Sequence, residues 1–164
     1  MTISEGEIVY LLNQVYKATQ EEVAKLKGEI QGSTTVHGDE TGWRQEGQNG
    51  YIWAFVTPGK QAVRYYEYDR SRSQSVVRGI LGDRFRGHLV SDFYAGYNDY
   101  GCQKQRCWVH LIRLIHKRQE RYLDNQELLA WIQAVRGLYD EAKEWLAKQR
   151  SLWPNSELLR PIVI

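Results

Sequence analysis

Two aspartates carry the chemistry that this sequence can hold. Asp39 closes the first half of TTVHGDETGW, and Asp92 closes the apolar run in GHLVSDFYAGY. Each ends a short strand-like segment, and turn residues follow, with Gly42 marking the turn after the first. Two carboxylates held side by side repel each other unless a cation sits between them. Mg²⁺, or Mn²⁺ in its place, suits that position. It takes oxygen ligands, keeps several waters, and binds through one or two carboxylates plus a substrate phosphate. A pair of such ions stabilises both the entering and the leaving oxygen of a phosphoryl displacement. Strand alternation puts His37 on the face of Asp39 and Glu40 on the opposite face, which makes Glu40 the weaker ligand candidate. An aspartate after a strand also serves as an ordinary turn cap, so the metal reading requires a fold that unites the pair.

Other reactive side chains surround these two. Cys107 and His110, extended to Cys102 and His116, raise the question of zinc, which needs four converging ligands. His110 and His116 are separated by about 240° around a helix at 3.6 residues per turn, so they do not converge. Cys107 reads more simply as a small buried apolar residue. Arg113, Lys117 and Arg121 share one helical face, and Arg64, Arg70, Arg72, Arg78, Arg84 and Arg86 cluster mid-chain. Such stripes suit phosphate contact without base specificity, or are simply solvated faces. Trp53 lies in an apolar strand and reads as core. Trp43 and Trp108 are left open between packing and stacking on bases.

These residues need elements to position them. Residues 4–30 read as a helix, with Ser4 and Glu7 forming a capping box. Its stripe of Ile8, Leu11, Leu12, Val15, Thr19, Val23, Leu26 and Ile30, recurring every three or four positions, requires a partner surface. Three strands follow, near Thr34–Asp39, Tyr51–Thr57 and Val63–Tyr68. Asn49-Gly50 is the hairpin signal between the first two. A helix opens near Ser73, buries Val76, Val77, Ile80 and Leu81, and closes at Gly82. Leu89–Ser91 is a strand reached through that helix, which implies a parallel crossover. A short helical turn over Ala95–Tyr100, a minimal strand at Gln105–Cys107 and a helix over His110–Tyr122 come next. Asp124 with Glu127 suggests a cap for a last helix, which Pro154 ends at the latest.

The order β-β-β-α-β-α-β-α predicts an α/β fold. It is a ribonuclease-H-like mixed five-stranded sheet, a three-stranded antiparallel meander plus parallel strands, with flanking helices. First and fourth strands are neighbours in that fold, about 4.8 Å apart, so Asp39 and Asp92 meet. The expected division is 1–32 as an N-terminal helix packing on the core, 33–122 as the core, and 123–164 as a helical extension.

Composition narrows the class. The chain has 164 residues, a formal net charge of +2, 6 Trp, 11 Tyr and 2 Cys. That length buries a core without staples. Two cysteines make a disulfide framework improbable. No apolar run approaches a membrane span and no signal-peptide layout opens the chain. A cytoplasmic protein is expected.

DETGW, LVSDFYAGYN and CWVHLIR together resemble the core of bacterial DDE transposases of the insertion-sequence-sixty-six family, over roughly residues 33–150. The resemblance implies metal-dependent DNA cleavage and strand transfer, with Asp39 and Asp92 as the first two acids of a triad. It implies DNA, both transposon ends and target, as partner, and an oligomer with itself or with intact transposase. It favours a place for His110 beside the acids, where it contacts a phosphate, orders a carboxylate or caps the helix. The family's third acid is a Glu ahead of an Arg-Pro pair. Glu157 has a similar neighbourhood in NSELLRP, with the spacing one residue short and the following Arg missing. The helical insertion is abbreviated, and the DNA-recognition region expected ahead of the core is absent. A truncated transposase is the expectation, the alternative being an inactive fragment that binds DNA or the intact enzyme.

Overall fold

The computed structural model describes residues 3–152. Helix α1 spans Glu5–Gly32. Its start is the expected capping box, in which Ser4 Oγ accepts from the Glu7 amide while Glu7 Oε2 accepts from the Ser4 amide at 2.8 Å. Strands β1 (Thr35–Gln45), β2 (Gln48–Val56) and β3 (Arg64–Asp69) form the antiparallel meander. Helix α2 (Gln74–Leu81) leads to β4 (His88–Ser91), and a 3₁₀ turn (Ala95–Tyr97) leads to β5 (Gln103–Arg106). Helices α3 (Trp108–Arg121) and α4 (Gln126–Leu152) complete the described chain.

The sheet order is β3-β2-β1-β4-β5, with β4 parallel to both β1 and β5. An antiparallel meander whose first strand also carries the parallel strands is the ribonuclease-H-like arrangement, as the element order predicts. One face of the sheet contributes Val36, Trp53, Phe55 and Leu89 to the main core. Helix α2 covers that face with Val76, Val77, Ile80 and Leu81, all buried. Removal of each such side chain from water contributes about 1.5–3 kcal/mol. The other face carries His37, Asp39 and Val90; α3 reaches it at His110, 3.8 Å from Asp39, and α4 contacts α3 through Tyr139 and Trp108.

Several local expectations need correction. β1 does not stop at Asp39. Its hairpin partner β2 holds it extended through Gln45, so Gly42 pairs with Tyr51 inside the ladder. The turn is Glu46-Gly47, both at positive φ (51° and 77°), rather than Asn49-Gly50. Two residues at positive φ match the twist of the flanking strands. Gly50 lies within β2 because the Tyr68 ring packs directly over it, where a Cβ would meet the ring at 2.6 Å. The cap of α4 is Asn125, whose Oδ1 accepts from the Leu128 amide at 2.9 Å, in place of Asp124.

Helix α1 touches the core only through its last turns. Ile30 is its one buried residue, Lys27 pairs with Glu67 at 3.2 Å, and Gln31 donates to the Ile80 carbonyl at 2.8 Å. The rest of its apolar stripe is exposed. Among the described residues, no helix is long and apolar enough to cross a membrane.

Candidate active site

The last parallel rung between β1 and β4 joins His37 to Val90. Asp39 and Asp92 each stand two residues beyond that rung. Period-two alternation aims Asp39 to the face of His37, while Asp92 lies one residue past the end of β4. β1 and β4 are adjacent strands, about 4.8 Å apart where they pair, so both acids lie at the same end of that pair. Beyond the rung β1 continues with β2 while β4 ends at Ser91.

Asp39 is exposed, and its Oδ1 accepts from the Glu40 amide at 3.0 Å. Its Oδ2 lies 3.8 Å from His110 Nε2 in the first turn of α3. Asp92 is half-buried, with Oδ1 accepting from the Tyr94 amide at 2.9 Å. Arg106 of β5 donates to the Asp92 carbonyl at 2.8 Å, and the Cys107 amide donates to the Ser91 carbonyl at 2.7 Å. These bonds fix the backbone that carries the second acid and bring α3 to it.

Beneath the acids lies a network that strand-pattern reasoning did not find. Glu40, on the face opposite Asp39, has a side chain only 1% exposed. It pairs with Arg72 at 2.7 Å and accepts from the Tyr97 hydroxyl at 2.5 Å. Arg72 stacks 4.0 Å from the centroid of Tyr94, whose hydroxyl donates to the Arg72 carbonyl. Arg72 therefore belongs to this network, and Arg78 pairs with Asp83 at 3.2 Å. Burial pushes the Tyr97 hydroxyl well above its ordinary range. Glu40 adds to this, then Asp92 and Asp39 through their charges, so all three carboxylates act on one phenol. The available signal was alternation itself, since a carboxylate on a core-facing strand position demands partners. Arg72 and Tyr97 are too distant in sequence to be named from it.

Two buried ring nitrogens, His37 Nε2 and His110 Nδ1, have no hydrogen-bond partner. Burial also lowers the pKa of His37. Both rings flank Asp39. Arg113, Lys117 and Arg121 are exposed on α3 as expected, and Arg121 also lies over the Tyr122 ring. His116 instead pairs with Glu120 at 3.4 Å, and Cys102 packs against the main core. Trp53 is fully buried, Trp108 stacks on Tyr139 at 5.3 Å, and Trp43 is exposed. Glu157 and Pro154 lie outside the described residues.

The sequence of residues 1–161 matches the profile of the transposase IS66 family. This chain belongs to that family. The IS66 match spans nearly the whole sequence, from α1 through all of α4. No relative was found among functionally curated proteins. Among solved structures, one match is a chain of the simian T-cell lymphotropic virus intasome in complex with PP2A regulatory subunit B56 gamma. It has a TM-score of 0.37 and 12% identity, and the match covers 74% of this chain and 42% of that one.

The residues present fit a hydrated divalent ion. Among the described residues no three His, Cys, Asp or Glu side chains form a ready-made metal cage. Mg²⁺ does not require one, because it binds through one or two carboxylates and retains water.

Proposed function

We propose that this transposase domain cleaves and joins DNA strands at the β1–β4 junction, with Asp39 and Asp92 holding Mg²⁺ or Mn²⁺. The observation that carries this reading is the parallel β1–β4 pairing through the His37–Val90 rung, with each acid two residues past it. The ion supplies an activated water and charge neutralisation at the phosphate when bound. The chain's own residues set the geometry. Asp39 and Asp92 supply carboxylate oxygens, and His110 orders the outer oxygen of Asp39. Arg113, Lys117 and Arg121 meet the phosphate backbone, without reading its sequence. A cytoplasmic location accompanies the reading, since bacterial DNA is the substrate. Self-association, or association with a longer copy of the transposase, accompanies it as well.

The test is supercoiled-plasmid nicking in Mg²⁺ or Mn²⁺. Metal-dependent nicking that Asp39→Asn and Asp92→Asn each abolish supports the proposal. DNA binding by the parent chain with no nicking above the Asp39→Asn control selects the second reading, an inactive DNA-binding fragment.

A further inference from the structure

The sheet ladder does not reach Asp39 and Asp92. The last β1–β4 rung is His37–Val90 and β4 stops at Ser91, so among the described residues no rung joins the segments that carry the two acids. Side chains beneath them make the connection, by two routes that both pass through Glu40. In the first, Tyr97, five residues after Asp92, donates its hydroxyl to Glu40 Oε2 at 2.5 Å. The Tyr97 ring is fully buried against Gly38, where a Cβ would meet it at 3.4 Å. Gly38 and Glu40 are the chain neighbours of Asp39 on either side. In the second route, Arg72 sets Nε and Nη2 on Glu40 Oε1, at 2.8 and 2.7 Å. Its guanidinium lies 4.0 Å from the centroid of the Tyr94 ring, and the Tyr94 amide donates to Asp92 Oδ1 at 2.9 Å. The Tyr94 hydroxyl donates to the Arg72 carbonyl, and Trp53 Nε1 donates to the preceding Ser71 carbonyl at 3.3 Å. We propose that Glu40, Tyr97, Arg72 and Tyr94 are positioning residues that set the separation of the two acids, and with it the metal affinity of the site. This role rests on the active-site reading above.

Three observations favour positioning over a purely structural role. The first is the cost of burial. The Glu40 side chain is 1% exposed. A buried ion pair is often no more stabilising than apolar residues of the same volume, so packing alone does not call for a carboxylate here. What the carboxylate adds is direction, because its two oxygens take three donors from two different segments. The second is charge. Burial first, then Glu40, and then the charges of Asp92 and Asp39 raise the pKa of the Tyr97 hydroxyl. The hydrogen bond to Glu40 does most to raise that of Arg72, and the charge of Asp92 adds to it. The network therefore lies within electrostatic reach of both acids. The third is the direct bond from Tyr94 to Asp92. Carboxylates that ligate metal are oriented by such bonds, and loss of the outer partners typically lowers affinity about 10–100-fold.

The test is the Mn²⁺ affinity of the full chain, read from the free-ion signal in electron paramagnetic resonance, which needs no DNA cleavage. Tyr97→Phe keeps the ring and removes one hydrogen bond. Arg72→Lys keeps the charge but cannot reproduce the planar two-donor fork or its stacking. Each is expected to weaken Mn²⁺ binding by about tenfold or more. Tyr65→Phe is the control for a general loosening of the fold. Tyr65 is also buried and donates to a carboxylate at 2.5 Å, but its partner is Glu67 and it lies on β3, two strands from β1. It is expected to bind Mn²⁺ as the parent does. Full affinity in either Tyr97→Phe or Arg72→Lys, or an equal loss in Tyr65→Phe, would overturn the positioning role while Asp92→Asn still abolishes binding. A parent that binds no Mn²⁺, or Asp92→Asn binding as the parent does, overturns the active-site reading itself, and the positioning role falls with it.

Discussion

The Tyr97 hydroxyl donates to Glu40 Oε2 across 2.5 Å and ties the turn after Asp92 to the strand that carries Asp39. Glu40 also holds Arg72 at 2.7 Å, so one buried carboxylate locks three segments together. Glu40→Ala leaves the Tyr97 hydroxyl and the Arg72 guanidinium without their shared acceptor. The expected loss of stability is about 1–3 kcal/mol, the cost of stranding buried polar groups. Glu40→Gln retains an acceptor and should lose less. Chemical denaturation of the three proteins checks the ranking, and equal stabilities would show that the network is not under load.

Metal should register as added stability. A ligand that binds only the folded state at one hundred times its Kd stabilises by about 2.7 kcal/mol. Mn²⁺ is expected to raise the melting temperature of the parent and to leave Asp92→Asn unmoved. An unchanged response in that variant places the ion elsewhere.

The entry to β4 depends on Gly87. A Cβ there would lie 2.7 Å from the carbonyl oxygens of both Ser33 and Thr34. The neighbouring His88 amide donates to the same Thr34 carbonyl at 2.8 Å, at the first rung of the β1–β4 pair. Gly87→Ala must push the two strands apart where they begin to pair. A loss of about 1–3 kcal/mol is expected, together with weaker Mn²⁺ binding, since the acids lie on the same two strands. A neutral substitution in thermal melting would contradict the close approach.

Alkaline pH should unfold the protein through its buried tyrosines. Burial raises the hydroxyl pKa of Tyr97 and Tyr65, and each is raised further by its carboxylate partner, Glu40 or Glu67. The unfolded chain ionises near pH 10, while the folded chain keeps both protons. Above that pH the unfolded state binds fewer protons, so stability falls as pH rises. Below pH 10 the contribution is fully present. Tyr97→Phe is expected to flatten this decline while lowering stability near neutrality by about 1.5–3 kcal/mol, for the loss of a hydrogen bond to a charged group. Denaturation midpoints between pH 8 and 11 provide the measurement.

The basic face of α3 predicts a salt effect. Arg113 and Lys117 are exposed and have no ion-pair partner among the described residues. Replacing Lys117 by Gln should weaken binding to any DNA sequence alike and reduce the slope of log K against log salt by about one. An unaltered slope removes Lys117 from the interface.

Much of this was legible in the residues. The Ser4–Glu7 box, the four buried positions of α2 and the β-β-β-α-β order are local properties, set by capping chemistry and by apolar spacing of neighbours in the chain. The order of strands implied the contact between β1 and β4, the strands whose ends lead to Asp39 and Asp92. Alternation within β1 alone put Glu40 on the core face. What the chain order could not supply was the identity of partners reached across long separations. Arg72 and Tyr97 meet Glu40 only because α2 and the 3₁₀ turn pack on one side of β1. His110 reaches Asp39 only because α3 crosses the other side. The length of β1 also depended on tertiary pairing, since β2 carries it past Asp39 to Gln45. The Asn49-Gly50 signal lost to Glu46-Gly47, since Gln48 already pairs with Gln45 and Asn49 and Gly50 lie inside the ladder, where the Tyr68 ring packs over Gly50. Local spacing determines which side chains share a face; only packing decides what stands opposite them, because that choice is made by shape and charge between segments the chain itself keeps far apart.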